Sequence, residues 1–164
     1  MCCRPLRLAF LILAAAVAAA PDAVRAADPG LAACQAEAMA PKQIACLAKR
    51  AMTAGDPYLC LEAESPAVRW PCVALYADRA HDPELCGILP ESEGVPASVS
   101  RDLCRVQLAI SRRDPSLCAG LTTPNLGDGC YLELVETGGD PALCGRIANP
   151  DVRSVCAFDP EDVQ

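Results

Sequence analysis

The sequence predicts an all-α fold, a short α-solenoid of about five disulfide-stapled helical hairpins on a 26-residue repeat. Two observations carry that expectation. The first is cysteine spacing. Cys34, Cys46, Cys60, Cys72, Cys86, Cys104, Cys118, Cys130, Cys144 and Cys156 follow one another at gaps of 12, 14, 12, 14, 18, 14, 12, 14 and 12 residues. Apart from the 18, two gaps alternate, and self-similarity at a fixed period is the mark of a repeat architecture. The second is a pentad. Asp56-Pro57-Tyr58-Leu59-Cys60 returns as Asp82 to Cys86, Asp114 to Cys118 and Asp140 to Cys144, and loosely as Asp28-Pro29-Gly30-Leu31 ahead of Cys34. An Asp carboxylate accepts a backbone N–H of a first helical turn, and Pro fits the first helical position, where its missing N–H has no partner to lose.

Before the first unit stands a segment that is not part of the fold. Arg4 and Arg7 precede an apolar run from Leu8 to Ala20, and small residues around Val24-Arg25-Ala26 follow. Charged, apolar and small-residue regions in that order predict a secretory signal peptide over 1–26, cleaved after Ala26. The 13 apolar residues are short of the ~20 that a membrane-spanning helix needs, so no stable membrane insertion is expected after cleavage. Cys2 and Cys3 precede the run, which leaves no cysteine at its end for a lipid anchor. Ten cysteines in an exported chain imply a disulfide framework and a periplasmic or extracellular location.

The repeat domain, 27–164, divides into units at about 28–55, 56–81, 82–113, 114–139 and 140–164. In each unit the pentad opens a short helix A, such as Pro57 to about Ala63. Ser65-Pro66, Thr123-Pro124 and Asn149-Pro150 then pair an N-capping residue with Pro and start a longer helix B, such as Pro124 to about Glu136. Gly55 and Gly139 stand where B should end. On the second B helix Cys72, Leu75 and Tyr76 form one apolar stripe and Val73 and Ala77 a second. One can face helix A and the other the next unit. Five residues after the second cysteine comes Ala51, Ala77, Ala109 or Val135, a small residue that lets neighbouring helices approach.

Three places break the pattern. Pro71 should kink the second B helix or delay its start. Gly127 and Gly129 weaken the start of the fourth. Six extra residues around Pro90 to Ser98 make the third A–B turn a longer surface loop. Beyond Asp159-Pro160 a short acidic tail should fray.

Two regular pairings of the cysteines are possible, within units or between them. Cys60 and Cys72 are nearly equidistant from the turn at Ser65, so they should face each other across the hairpin. Across the turn at Gly55, Cys46 is nine residues away and Cys60 five. Geometry therefore favours Cys34–Cys46, Cys60–Cys72, Cys86–Cys104, Cys118–Cys130 and Cys144–Cys156.

Composition excludes several functions. Without Arg4, Arg7, Arg25 and Asp22 the chain keeps 11 basic and 20 acidic residues, a net charge of −9. That argues against nucleic acid and anionic membrane surfaces. No Cys-x-x-Cys motif is present, and one His and two Met beyond the leader are a poor ligand set for a soft metal. His81 beside Asp82 could be an oriented general base, but no nucleophile has a matching partner, and a solvated residue at a helix C-terminus explains it better. The repeated Asp56, Asp82, Asp114 and Asp140 are explained by capping. The stapled helix pair resembles that of secreted, cysteine-rich helical-repeat proteins. These use a longer repeat, the likeness covers no motif, and no functional residue is carried from it.

The expectation is an exported, non-catalytic binding or scaffolding module that uses no cofactor and meets a protein partner, one that the acidic balance favours as basic. An enzyme or enzyme-associated factor with a site of scattered residues is the alternative. A metal-binding cysteine-rich protein is the second.

Overall fold

The computed structural model describes residues 29–156 apart from residue 93. The expected signal peptide, the cap at Asp28 and the acidic tail lie outside the described residues. Within them the chain is helical, with no β-strand, and five disulfides join successive helical segments. This is the disulfide-stapled helical repeat that the cysteine spacing predicts.

The B helices are α2 (Ala40–Ala54), α3 (Pro66–Ala80), α4 (Ala97–Arg112), α6 (Pro124–Glu136) and α7 (Pro150–Cys156). The A elements are α1 (Pro29–Gln35), the 3₁₀ turns Pro57–Glu62, Pro83–Ile88 and Pro141–Arg146, and the four-residue α5 (Ser116–Ala119). Three A elements are thus 3₁₀ rather than α. Short pieces are where 3₁₀ geometry competes with α, and the four-residue α5 at the equivalent place is α, so the two are nearly balanced here.

Each B helix packs on the next, α2 on α3, α3 on α4, α4 on α6 and α6 on α7, while each A element from the second unit on lies against its own B helix and the preceding one. Burial follows that order. Cys34, Leu47, Cys60, Val68, Cys72, Val73, Cys86, Leu89, Cys104 and Leu108 share one apolar cluster, and Ala109, Cys118, Cys130, Tyr131, Leu134 and Ile147 share a second. The two meet across α4, where Leu108 faces one way and Ala109 the other. Ala51, Ala77 and Ala109 are fully buried between neighbouring helices, and Val135 is half-buried at the same position. Large side chains are few in this core. Eight of the ten bonded cysteines are buried, so the bridges themselves occupy much of the interior.

Unit junctions reuse one device. At the ends of α2, α3 and α4 a residue with positive φ, Gly55 (67°), His81 (57°) or Arg113 (54°), stops the helix. The next residue is the Asp. Its N–H reaches back to the carbonyl of Ala51, Ala77 or Ala109 at 3.0, 3.0 and 2.9 Å, the long bond of a Schellman close. Its carboxylate then caps the following A element, accepting the N–H of Tyr58, Glu84 or Ser116. Asp140 does the same for Ala142. Asp56, Asp82 and Asp114 each end one unit with the backbone and begin the next with the side chain, whereas Asp140 only begins one.

Several local expectations change. The left-handed residue after α6 is Gly138 (φ 86°), not Gly139, because this helix closes one residue early, with Gly139 N–H on Leu134 O at 2.8 Å. Gly139 is required for another reason: a Cβ there would lie 2.5 Å from the Leu134 carbonyl oxygen. Pro71 neither delays nor ends α3, which starts at Pro66 and runs through it. Ser65 and Thr123 occupy N-cap positions, yet neither side chain makes a capping hydrogen bond. Asn149 does, accepting the Asp151 N–H. Leu75 is 42% exposed, and Ala74 is buried in its place. The long third loop closes on itself through Ser92 and Val95, with Gly94 at φ 71°.

Candidate functional site

Leu75 and Met52 mark a surface where large apolar side chains lie uncovered beside charged ones. On α2, Leu47, Ala48 and Ala51 turn inward. That puts Ala45, Lys49 and Met52, spaced four and three residues apart, on the outer wall. On α3, Cys72, Val73, Ala74 and Ala77 turn inward, which leaves Leu75 and, four residues on, Arg79 facing out. The facing walls enclose an open groove of about 690 Å³ lined by Ala45, Ala48, Lys49, Met52, Leu75 and Arg79, with Thr53 and Asp78 beside them. Met52 is 37% exposed. A smaller hollow continues the groove past Met52 along Tyr76 and Arg79.

The electrostatics of the groove differ from those of the chain. Asp78, its one carboxylate, is taken up by Arg112 of α4, whose Nε is 2.7 Å from Oδ1. The same guanidinium donates to the Ala77 and Asp78 carbonyls at the end of α3. Lys49 and Arg79 are exposed and form no ion pair among the described residues. Charge is also uneven along the sequence. Residues 29–113 hold 9 basic and 10 acidic side chains, whereas 114–164 hold 2 and 9. The groove is a cationic, apolar patch at the near-neutral end of an acidic protein.

Two further columns of polar residues hold the turns that carry this surface. An Arg three residues before the second cysteine recurs as Arg69, Arg101 and Arg153. Each donates to the carbonyl three residues after the first cysteine, on Ala63, Leu89 or Ile147. Those residues are fully buried at the end of the 3₁₀ turn, where the backbone carbonyl must find a donor. Arg69 also reaches Ser92, which ties the long third loop back onto the second unit. An Asp two residues before the second cysteine recurs as Asp102 and Asp128, both buried. Asp102 accepts Thr122 N–H (2.9 Å), Thr122 Oγ1 (2.9 Å) and Thr123 N–H (2.8 Å), and Asp128 accepts the N–H groups of Ala148 and Asn149. Each carboxylate on one B helix thus holds the backbone N–H groups of the two residues that lead into the next unit's B helix. Burial alone raises the Asp102 pKa, but the hydrogen bonds from Thr122 and Thr123 together outweigh it and hold the carboxyl below the usual carboxylate range.

Asp56, Asp82, Asp114 and Asp140 do not converge. Each serves its own junction. His81 is exposed on its left-handed turn, and the Asp82 Oδ1 beside it in sequence is occupied by the Glu84 N–H at 3.0 Å. All ten cysteines from Cys34 to Cys156 are bonded within their own units, with Cα–Cα distances of 5.4 to 5.7 Å. Among the described residues no group of three or more His, Cys, Asp or Glu could hold a metal ion, and no helix is long and apolar enough to cross a membrane. The Arg and Asp columns were present in the sequence as fixed offsets from the second cysteine. The groove had no such signal, because which of two apolar stripes is covered depends on how neighbouring helices are set.

Comparison with known proteins finds no matching family model, no matching curated protein and no matching solved structure.

Proposed function

We propose that this chain is an exported, non-catalytic binding or scaffolding module that engages protein partners through its helical-repeat surface. The observation that carries the reading is the α2–α3 groove. It exposes Met52 and Leu75 between two cations on a frame braced by bridges, caps and the Arg112 clamp. A preformed apolar groove with a charged rim suits an extended or helical peptide segment. Its walls lose little conformational entropy on binding, because the bridges have already ordered them.

Five disulfides indicate an oxidising compartment. Export through a cleaved signal peptide over 1–26 is the route that brings the chain there, to the periplasm or the extracellular space. The acidic half beyond Asp114 is the surface that would meet a basic partner.

Affinity capture from the native envelope tests the reading, with the oxidised protein compared against Leu75→Asp. Leu75 is 42% exposed, and circular dichroism checks that the variant keeps its helix content. A partner held by the native protein and lost by Leu75→Asp supports the groove as the binding surface. A partner held equally by both places binding elsewhere and removes the groove from the account.

A further inference from the structure

We infer that the α2–α3 groove receives the acidic segment 157–164 of a second copy of this chain. The inference rests on the groove being a protein-docking surface and names its occupant.

Complementarity is the first argument. The groove pairs apolar Met52 and Leu75 with Lys49 and Arg79, cations without an ion pair among the described residues, and its one carboxylate is already held by Arg112. Residues 157–164 carry Phe158 and Val163 among Asp159, Glu161 and Asp162, with no basic residue. An aromatic anchor flanked by carboxylates matches an apolar floor with a cationic rim, and exposed charges of opposite sign set its orientation.

Reach is the second argument, and for the aromatic anchor Phe158 it favours another copy over the same one. From α7 back to α3 the chain of contacts passes through α6 and α4. Packed helices lie 8–10 Å apart, so three such steps in line span about 25–30 Å. Phe158 is the second residue after Cys156 and extends only about 7 Å from it. Over that span the aromatic ring falls short of the groove of its own chain. A second copy can offer it.

The resulting contact is heterologous, with the fifth unit of one copy on the first two units of the next. Such contacts repeat without closing unless the rotation happens to form a ring. The expected species is an open series whose mean mass rises with protein concentration, and whose association weakens with salt because the rim charges are exposed.

Sedimentation velocity on the oxidised exported protein tests this. The comparisons are a chain ending at Cys156, the pair Lys49→Glu with Arg79→Glu, and the pair Asp159→Lys with Asp162→Lys. Lys49 and Arg79 are exposed, and circular dichroism checks that every variant keeps its helix content. Truncation should abolish association, and either charge-reversed pair should weaken it roughly tenfold. Mixing the two charge-reversed proteins should restore it. A native protein that stays monomeric at all concentrations, or one whose association survives truncation, overturns the inference. A photo-crosslinking residue at Met52 separates this failure from failure of the broader reading. An adduct of twice the chain mass, mapped to 157–164, supports the inference. An adduct only with another protein overturns it and leaves the binding-module reading standing. No adduct overturns both.

Discussion

Asp102→Ala is the sharpest test of how the units are held together. The carboxylate is 1% exposed and accepts three hydrogen bonds from the start of α6, two from backbone N–H groups and one from the Thr122 hydroxyl. Hydrogen bonds to a charged acceptor are worth ~1.5–3 kcal/mol each, and a buried donor left without a partner costs about 1–3 kcal/mol more. The three share one acceptor and are not additive, so the expected loss is about 3–4 kcal/mol, well above the ~1 kcal/mol of an ordinary exposed N-cap. Asp102→Asn keeps an amide oxygen at the same place and loses only the charge, for about 1 kcal/mol. Urea unfolding with intact disulfides measures both losses, and hydrogen exchange at Thr122 and Thr123 localises them. The sign with pH follows from the lowered pKa. Asp102 stabilises the fold above its unfolded pKa of ~3.9, and the contribution is lost as pH falls through the lower folded value. The difference between native and Asp102→Asn stability should therefore be constant above about pH 4 and shrink below it. A loss under ~1 kcal/mol for Asp102→Ala, or equal losses for the Ala and Asn variants, would refute the inter-unit tie.

Three other perturbations test the remaining devices. Replacing Cys118 and Cys130 together by Ala removes one 12-residue bridge and should cost about 3 kcal/mol in thermal unfolding, whereas Cys118→Ala alone should also scramble neighbouring bridges through the freed Cys130 thiol, visible in non-reducing peptide maps. His81→Gly and Arg113→Gly each replace a left-handed non-glycine residue, so each should raise stability by about 0.5–1 kcal/mol, and a loss in both would mean that these side chains make contacts of their own. Gly139→Ala should destabilise by more than about 1 kcal/mol, because its Cβ meets the Leu134 carbonyl rather than a yielding side chain, and an unchanged midpoint would show that the backbone shifts freely there.

How much was legible depended on whether the cause was local. The alternating cysteine gaps and the Asp-Pro pentads implied a helical repeat because capping and chain reversal involve residues close in sequence. The bridges bonded in the structure are those that symmetry about the A–B turns favours. The same local logic placed the helix starts at Ser65 and Thr123, though neither side chain makes a capping hydrogen bond. At Thr123 a buried carboxylate 21 residues upstream holds the backbone N–H of the N-cap residue itself. Pro71 does not delay α3, because the helix already starts at Pro66 and is packed on both sides.

The amino-acid sequence by itself determined the period, the helix starts and the cysteine framework of this protein, since each is set by residues within one or two turns of one another. Only the tertiary structure decided which side chains face out. Leu75 and Ala74 are adjacent on α3, and helical periodicity alone allows either to be covered. Packing of α3 against its neighbours buries Ala74 and leaves Leu75 beside Met52, Lys49 and Arg79. The groove therefore exists through the angle between two helices 26 residues apart in the repeat, and that angle is fixed by long-range packing around the bridges and the small residues at Ala51 and Ala77.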